Sequence, residues 1–333
     1  MKTRKVLFII KNQLFKNRAM KINCFSVFAK NRLISIYTLL GLFLALQACE
    51  DEITPTLDPL EPLVTIDAWL HSKSGEQVIY IQETTSYFDQ SEPPARSGAE
   101  IVVSDDLGNT FEFNETEAGK YVWGDESSFS FVNTNRIYEL EINLDGDVYS
   151  AVSEANRSPT VDSIVVEKRE EDLGQPAGYY AQFYARDFTG PGDTYWIRSY
   201  KNGEYLGKPS EINLAYDAAF SAGGNFDGFT FISPIREGIN PNDEDENEEA
   251  LPPFEPGDVV RVEIWSITNG AFQFLADVAD LTNREGGTQA LFQSPIFNTK
   301  TNILLNGQTT DKVVGYFNTS MVNSLEKTVE EQE

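Results

Sequence analysis

The chain has 333 residues, with 52 acids against 26 lysines and arginines, a formal net charge of −26, one histidine and two cysteines. That balance argues against a nucleic-acid partner, whose binding rests on cationic side chains neutralising phosphates. One histidine excludes a histidine-based metal cluster, and any Ser-His-Asp site would have to use it.

The charges are unevenly spread. Nine of the basic residues and no acid fall in residues 1–48, so the remainder carries 17 basic side chains against all 52 acids. A basic leader before an apolar run reads as an export signal. Met20 offers a second start with more usual proportions, and the apolar run Leu33–Leu46 follows it. Leu33–Ala48 is short for a membrane span, which needs about 20 apolar residues. "LQAC", Leu46 to Cys49, resembles a lipobox, with Gln47 an imperfect fit. Cys49 is therefore the expected lipidation site and first residue of the mature chain. The acids Glu50, Asp51 and Glu52 resemble the tag that sends some lipoproteins to the outer face of the outer membrane. Cys24 lies in the leader, so the mature part has no thiol left for a disulfide, a thiolate zinc site or a nucleophile.

Glu50 to Pro62 holds three prolines and five acids. Such a segment pairs poorly in a sheet and forms no helix, and residues 49–62 read as an acidic tether. From Leu63 the apolar residues alternate. "LVTIDAWL", "VIYIQET", the hairpin "GAEIVVSDDLGNTFEFN", "GKYVWG" and the hairpin "RIYELEINLDGDVYSA" are predicted strands. They make residues 63–158 a small antiparallel β-sandwich.

A second β-rich unit covers 159–326. "DSIVVEK", "YYAQFYARD" and "TYWIRSYKNGEYLG" are strands, with Asn202-Gly203 a hairpin turn. "SEINLAYD", "FDGFTFISPI" and "DVVRVEIWSIT" continue the pattern. An acidic loop spans 237–257. The period then changes: Ala271, Phe274, Leu275, Val278 and Leu281 mark an amphipathic helix at about 270–284. Asn269 is its expected cap, and Gly286-Gly287 its expected stop. "TNILL" and "KVVGYFNTS" are closing strands, "LEKTVEEQE" reads as a fraying end, and 327–333 is a polar tail. The fold class is mainly β: two antiparallel sandwich-like domains, the second with one helix near its C-terminal end.

Together these segments resemble the outer-membrane lipoprotein family grouped as domain of unknown function number forty-two forty-nine. The residues that carry the resemblance are "CEDEI", "LVTIDAWL", "SYFDQSEPPARSGAEIVVSDDLGNTFEF", "PTVDSIVV", "GDTYWIRSYKNGEYL", "GDVVRVEIWSIT" and "VVGYFNTS". The resemblance implies two-part, β-rich surface proteins whose genes often lie beside those of TonB-dependent receptors. It implies no catalytic residue.

The residues themselves offer few sites. His71, beside a Lys-Ser-Gly turn, reads as a solvated loop histidine. Asp243, Asp245 and Asn247 have the alternate spacing of a calcium loop, but Glu248 stands where that loop needs glycine, so they are weak cation candidates in a solvated insertion. Tyr87 and Phe88 precede a Pro-Pro loop, and Tyr179 and Tyr180 follow "GQPAG". Each pair is a candidate ligand or partner anchor, with burial in the core as the bland alternative. No catalytic residue, metal or cofactor is expected. The function expected is a non-catalytic accessory to a TonB-dependent receptor in ligand capture, lipid-anchored through Cys49 and facing the cell exterior. The alternatives are a structural or adhesive surface module and a carboxylate-based hydrolase.

Overall fold

The computed structural model describes residues 61–86, 89, 91–172, 174–221, 226–284 and 297–332. The leader, Cys49, the tether up to residue 60, Tyr87, Phe88 and Gly286-Gly287 lie outside them. Among the described residues no helix is long and apolar enough to cross a membrane.

The alternating segments form strands as their period requires. β1 (Val64–His71), β2 (Gln77–Glu83), β3 (Glu100–Asp105), β4 (Thr110–Glu117), β5 (Lys120–Trp123), β6 (Arg136–Leu144) and β7 (Asp147–Ala155) come first. β14 (Leu304–Leu305) and β15 (Val313–Ser320), near the C-terminus, join them in one nine-stranded sheet of order β14-β7-β6-β3-β4-β5-β2-β1-β15. The sheet is antiparallel except at β1 and β15, which run parallel. It curls on itself into a near-closed, barrel-like sheet, with β15 returning against β7. Asn302 links the two ends, donating to the carbonyls of Val152 (3.3 Å) and Phe317 (2.8 Å), and the Thr319 N–H donates to Ser153 (2.9 Å). Ile66, Ala68 and Leu70 of β1 point into the enclosed core with Ile79, Ile81, Tyr138 and Phe317. The parallel contact requires Gly315. Its φ is +98°, and a Cβ there would press on the Ile66 carbonyl.

The second sheet holds β10 (Thr194–Lys201), β11 (Glu204–Tyr205), β12 (Asn213–Tyr216), β13 (Val259–Ile267) and β16 (Val322–Thr328). Its order is β11-β10-β13-β16, with β12 also on β10. Asn202 and Gly203 both take positive φ, the hairpin geometry their sequence implies. A separate hairpin, β8 (Ser163–Arg169) and β9 (Gly178–Tyr184), covers one face of this sheet. Ile164, Val166, Ala181 and Phe183 meet Tyr195, Ile197, Val260, Val262 and Ile264 there.

Three local expectations are corrected. "FDGFTFISPI" contains no strand: Thr230 makes one isolated bridge, and the short helix α1 (Ser233–Glu237) follows. Pro234 sits in its first turn, where a missing N–H costs nothing. The end of the chain does not fray, because Leu325–Thr328 belong to β16 and Val329 is buried. The amphipathic helix is present as α2 (Asn269–Thr282), but its cap is Thr268, whose hydroxyl accepts from the Ala271 N–H (3.2 Å). Asn318 takes the Thr268 N–H (3.0 Å) and so fixes the start of the helix to β15.

Candidate functional site: an aromatic cluster around Arg198

Both sheets have a second face. On β1, Asp67, Trp69 and His71 alternate with the core residues and point out of the curled sheet. β15 places Tyr316 beside Asp67 and Asn318 beside Trp69. On the second sheet, Trp196, Arg198 and Tyr200 pair with Trp265, Glu263 and Arg261, all on the face away from the β8–β9 hairpin. The two outward faces meet. Trp69 packs edge-on against Trp196, ring centres 5.2 Å apart, and lies over Tyr316 at 6.0 Å. Trp196 and Trp265 are 6.1 Å apart. Phe274 of α2 closes one side, 5.1 Å from Tyr316 and 6.3 Å from Trp69. Three of the four tryptophans therefore gather in one place.

Arg198 stands among these rings. Its guanidinium carbon is 4.2 Å from the Tyr205 ring centre, 4.6 Å from Trp265 and 4.7 Å from Trp196. Such stacking on aromatic faces suits a weakly hydrated guanidinium. Among the described residues Arg198 forms no ion pair, and its Nε is buried without an acceptor. The indole N–H of Trp196 is likewise buried without an acceptor. Unmet buried donors are uncommon in native proteins and call for an explanation.

Three other charged or titratable groups complete the setting. Asp67 is solvent-exposed on this face, and the protein packed around its carboxyl raises its pKa against a hydrogen bond from Trp69 and the attraction of Arg198. Glu263 is the opposite case. Burial alone would raise its pKa, but Lys73 (2.8 and 3.1 Å), the Trp265 N–H (2.8 Å) and the Tyr200 hydroxyl (3.1 Å) donate to it and hold it low. Both of its oxygens are occupied, so it fixes the two sheets together and is not free for proton transfer.

His71 is no loop residue; it ends β1, and its ring packs edge-on to Trp265 at 5.2 Å. Burial first, then the charge of Lys73, lower its pKa to about 4. Gln77 fixes its tautomer: the amide oxygen takes the His71 backbone N–H (2.8 Å), so the amide nitrogen donates to Nδ1 (3.2 Å). The neutral ring then carries its proton on Nε2.

The residues singled out from the sequence lie elsewhere. Cys49, Tyr87 and Phe88 are outside the described residues. Tyr179 and Tyr180 are strand residues of β9 and buried, so the core placement is the one observed and the exposed-anchor reading does not apply to them. Tyr180 donates to the Pro176 carbonyl (2.8 Å), and Arg169 stacks on its ring. Asp245 turns on its own loop, accepting from the N–H groups of Asn247 (2.8 Å) and Glu249 (3.0 Å), which lower its pKa. Asp243 pairs with Lys208 (2.6 Å). Among the described residues no group of three or more His, Cys, Asp or Glu is arranged to hold a metal. A groove of about 580 Å³ runs past Lys201, Glu204, Tyr205, Lys208 and Asp243. Tyr205 thus belongs both to this groove and to the rings around Arg198.

Sequence reading passed over Asp67, Trp69, Trp196, Arg198 and Trp265 because each looks like an ordinary strand residue. One signal was there to find. "TYWIRSYK" and "VRVEIWSI" place large residues on both faces, which means that both faces are covered.

A family model described as "Domain of unknown function (DUF4249)" matches residues 50–326, most of the chain, and it is the family that the sequence resembles. No curated protein matches the chain.

Proposed function

We propose that this chain, which belongs to the family of the Domain of unknown function (DUF4249), is a lipid-anchored outer-membrane protein that captures a ligand for a TonB-dependent receptor without transforming it. The observation that supports this reading is the aromatic cluster around Arg198. It gathers the rings of Trp69, Trp196 and Phe274 around donors that find no acceptor inside the protein. Binding sites combine such apolar walls with a few placed polar groups. Glu263, the buried carboxylate beside this cluster, is held by Lys73, Trp265 and Tyr200 and braces the two sheets. The anchor half of the reading rests on the sequence around Cys49. Several acyl chains on that residue would hold the protein firmly, since each buried methylene contributes about 0.8 kcal/mol. The segment after Cys49 leads into β1, the strand that bears Asp67 and Trp69.

The test is a membrane experiment. Tagged chain is extracted from native membranes in mild detergent, beside a Cys49→Ser variant. The expected result is flotation of the wild type with membranes, loss of flotation in the variant, and a co-purifying receptor barrel. Flotation of the variant would end the anchor reading, and repeated purification without a barrel would end the receptor reading.

A further inference from the structure

We infer that the groove beside β11 seats a short basic peptide in extended form, its main chain on the free edge of β11 and a lysine or arginine side chain against Glu204. The inference goes beyond the capture reading, since it needs neither the anchor nor a receptor. β11 is an outer strand of the second sheet. The Leu206 N–H donates to the Ser199 carbonyl (2.9 Å), so the main chain of Leu206 faces β10. Bonded and unbonded pairs alternate along antiparallel strands. Tyr205, opposite Tyr200, therefore turns its N–H and carbonyl away from β10. Gly207 is the next residue in that alternation. Among the described residues neither has a main-chain partner on the outer side.

The groove of about 580 Å³ lies along this edge, lined by Tyr205, Leu206, Gly207 and Lys208. Its size is that of a ligand site, roughly 300–1,000 Å³. Gly207 is exposed and has no side chain to obstruct an incoming strand. A Cβ there would lie 2.9 Å from the Tyr205 ring, so the position has to stay small. A free edge inside a groove accepts an extended chain by strand addition, with main-chain bonds for affinity and side-chain contacts for choice. Tyr205 to Gly207 covers about 7 Å of strand, which matches about three ligand residues.

The charges of the groove choose the side chain. Lys208 is tied to Asp243 (2.6 Å) and to the Asn242 carbonyl (2.7 Å). Lys201 donates to the Pro253 carbonyl (2.9 Å) and lies 3.4 Å from Asp258. Glu211 is buried and accepts from the N–H groups of Lys208 (2.9 Å) and Asn242 (3.1 Å). Both lysines and this carboxylate are thus engaged within the protein. Glu204 is exposed and forms no ion pair among the described residues, so the charge left free in the groove is negative. Glu244 and Glu246, exposed just beyond Asp243, add to it. A basic ligand is drawn to such a surface and an acidic one is repelled.

The experiment is calorimetric titration of the full chain in detergent with three end-blocked peptides: acetyl-Val-Lys-Val-amide, acetyl-Val-Glu-Val-amide, and the lysine peptide methylated at its peptide nitrogens. The expected result is one-to-one binding of the lysine peptide with a dissociation constant below about 1 mM. The glutamate peptide binds about tenfold more weakly or worse, the scale of one charge-assisted contact, and so does the methylated peptide, which has lost its main-chain donors. Glu204→Lys, a change at an exposed position, weakens the lysine peptide by about the same factor and leaves the urea unfolding midpoint in place. If that variant does not fold, the three peptides on the wild type still decide. No binding of the lysine peptide, equal affinity for the lysine and glutamate peptides, or full-strength binding of the methylated one overturns the inference.

Discussion

Lys73→Met isolates the contact that joins the two sheets. Lys73 lies in the loop between β1 and β2, and its ammonium donates to both oxygens of Glu263 on β13. The Glu263 side chain is 2 % exposed and that of Lys73 34 %. Removing the lysine leaves a buried carboxylate with neutral donors from Tyr200 and Trp265 and with Arg261 at 3.7 Å. Breaking a buried pair from one side costs about 3–5 kcal/mol. Water reaches Lys73 and Arg261 stays near, so the expected loss is at the low end, about 3 kcal/mol. The Glu263 pKa is low in the wild type and rises in the variant. The penalty is therefore full at neutral pH and shrinks as pH falls through the variant's own carboxyl pKa. Equilibrium urea unfolding at pH 7 and pH 4 measures it. The double variant Lys73→Met with Glu263→Gln keeps an acceptor for Trp265 and removes the orphan charge, so it recovers most of the loss. A single-variant loss below about 0.5 kcal/mol, or a double variant no better than the sum of the singles, would refute the reasoning.

His71 is the only histidine, so its ring protons give an uncluttered NMR titration. The expected midpoint is at about 4, against 6.5 in an unfolded chain. Because the folded pKa is the lower one, the unfolded state takes up the proton first as pH falls. Stability that is complete above pH 6.5 is lost down to pH 4, and the loss is about 3 kcal/mol at roughly 1.4 kcal/mol per pH unit. His71→Asn should show that much less acid sensitivity over the same window in urea unfolding; an unchanged slope would mean that His71 is not the group responsible. Gly315→Ala forces a left-handed backbone and presses on the Ile66 carbonyl. The expected cost is about 2 kcal/mol or more in urea unfolding, and a neutral result would contradict the parallel β1–β15 contact.

Most strands were legible because period two is local: Ile101 and Val103, or Tyr138, Leu140 and Ile142, announce their own face. The helix was legible for the same reason, with an error of one residue in its cap. Thr268 and Asn269 are both good capping types, and the tertiary bond from Thr268 to Asn318 decides between them. Pairing across the chain was not legible. Nothing near Val313 says that β15 lies parallel to β1, some 250 residues earlier, or that Leu325–Thr328 seal the edge of β13. "FDGFTFISPI" alternates well enough to pass for a strand, but Pro234 favours a helix start.

The cluster around Arg198 escaped the sequence reading for the same long-range reason. Asp67 and Trp69, Trp196 and Arg198, and Phe274 come from three distant segments, each filling an ordinary strand or helix position. The paired tyrosines drew attention because they are adjacent in sequence. In β9 they lie in the core of the second unit and against its neighbouring strand, far along the chain from β1.

The central claim is that the chain is lipid-anchored through Cys49, and the mass of the mature chain tests it most directly. Mass spectrometry of tagged chain purified from native membranes in detergent reads its first residue and whatever that residue carries. The expected species begins at Cys49 with acyl chains attached, and the Cys49→Ser variant lacks them. A membrane-purified chain that still carries residues before Cys49, or a Cys49 without lipid, would contradict the account.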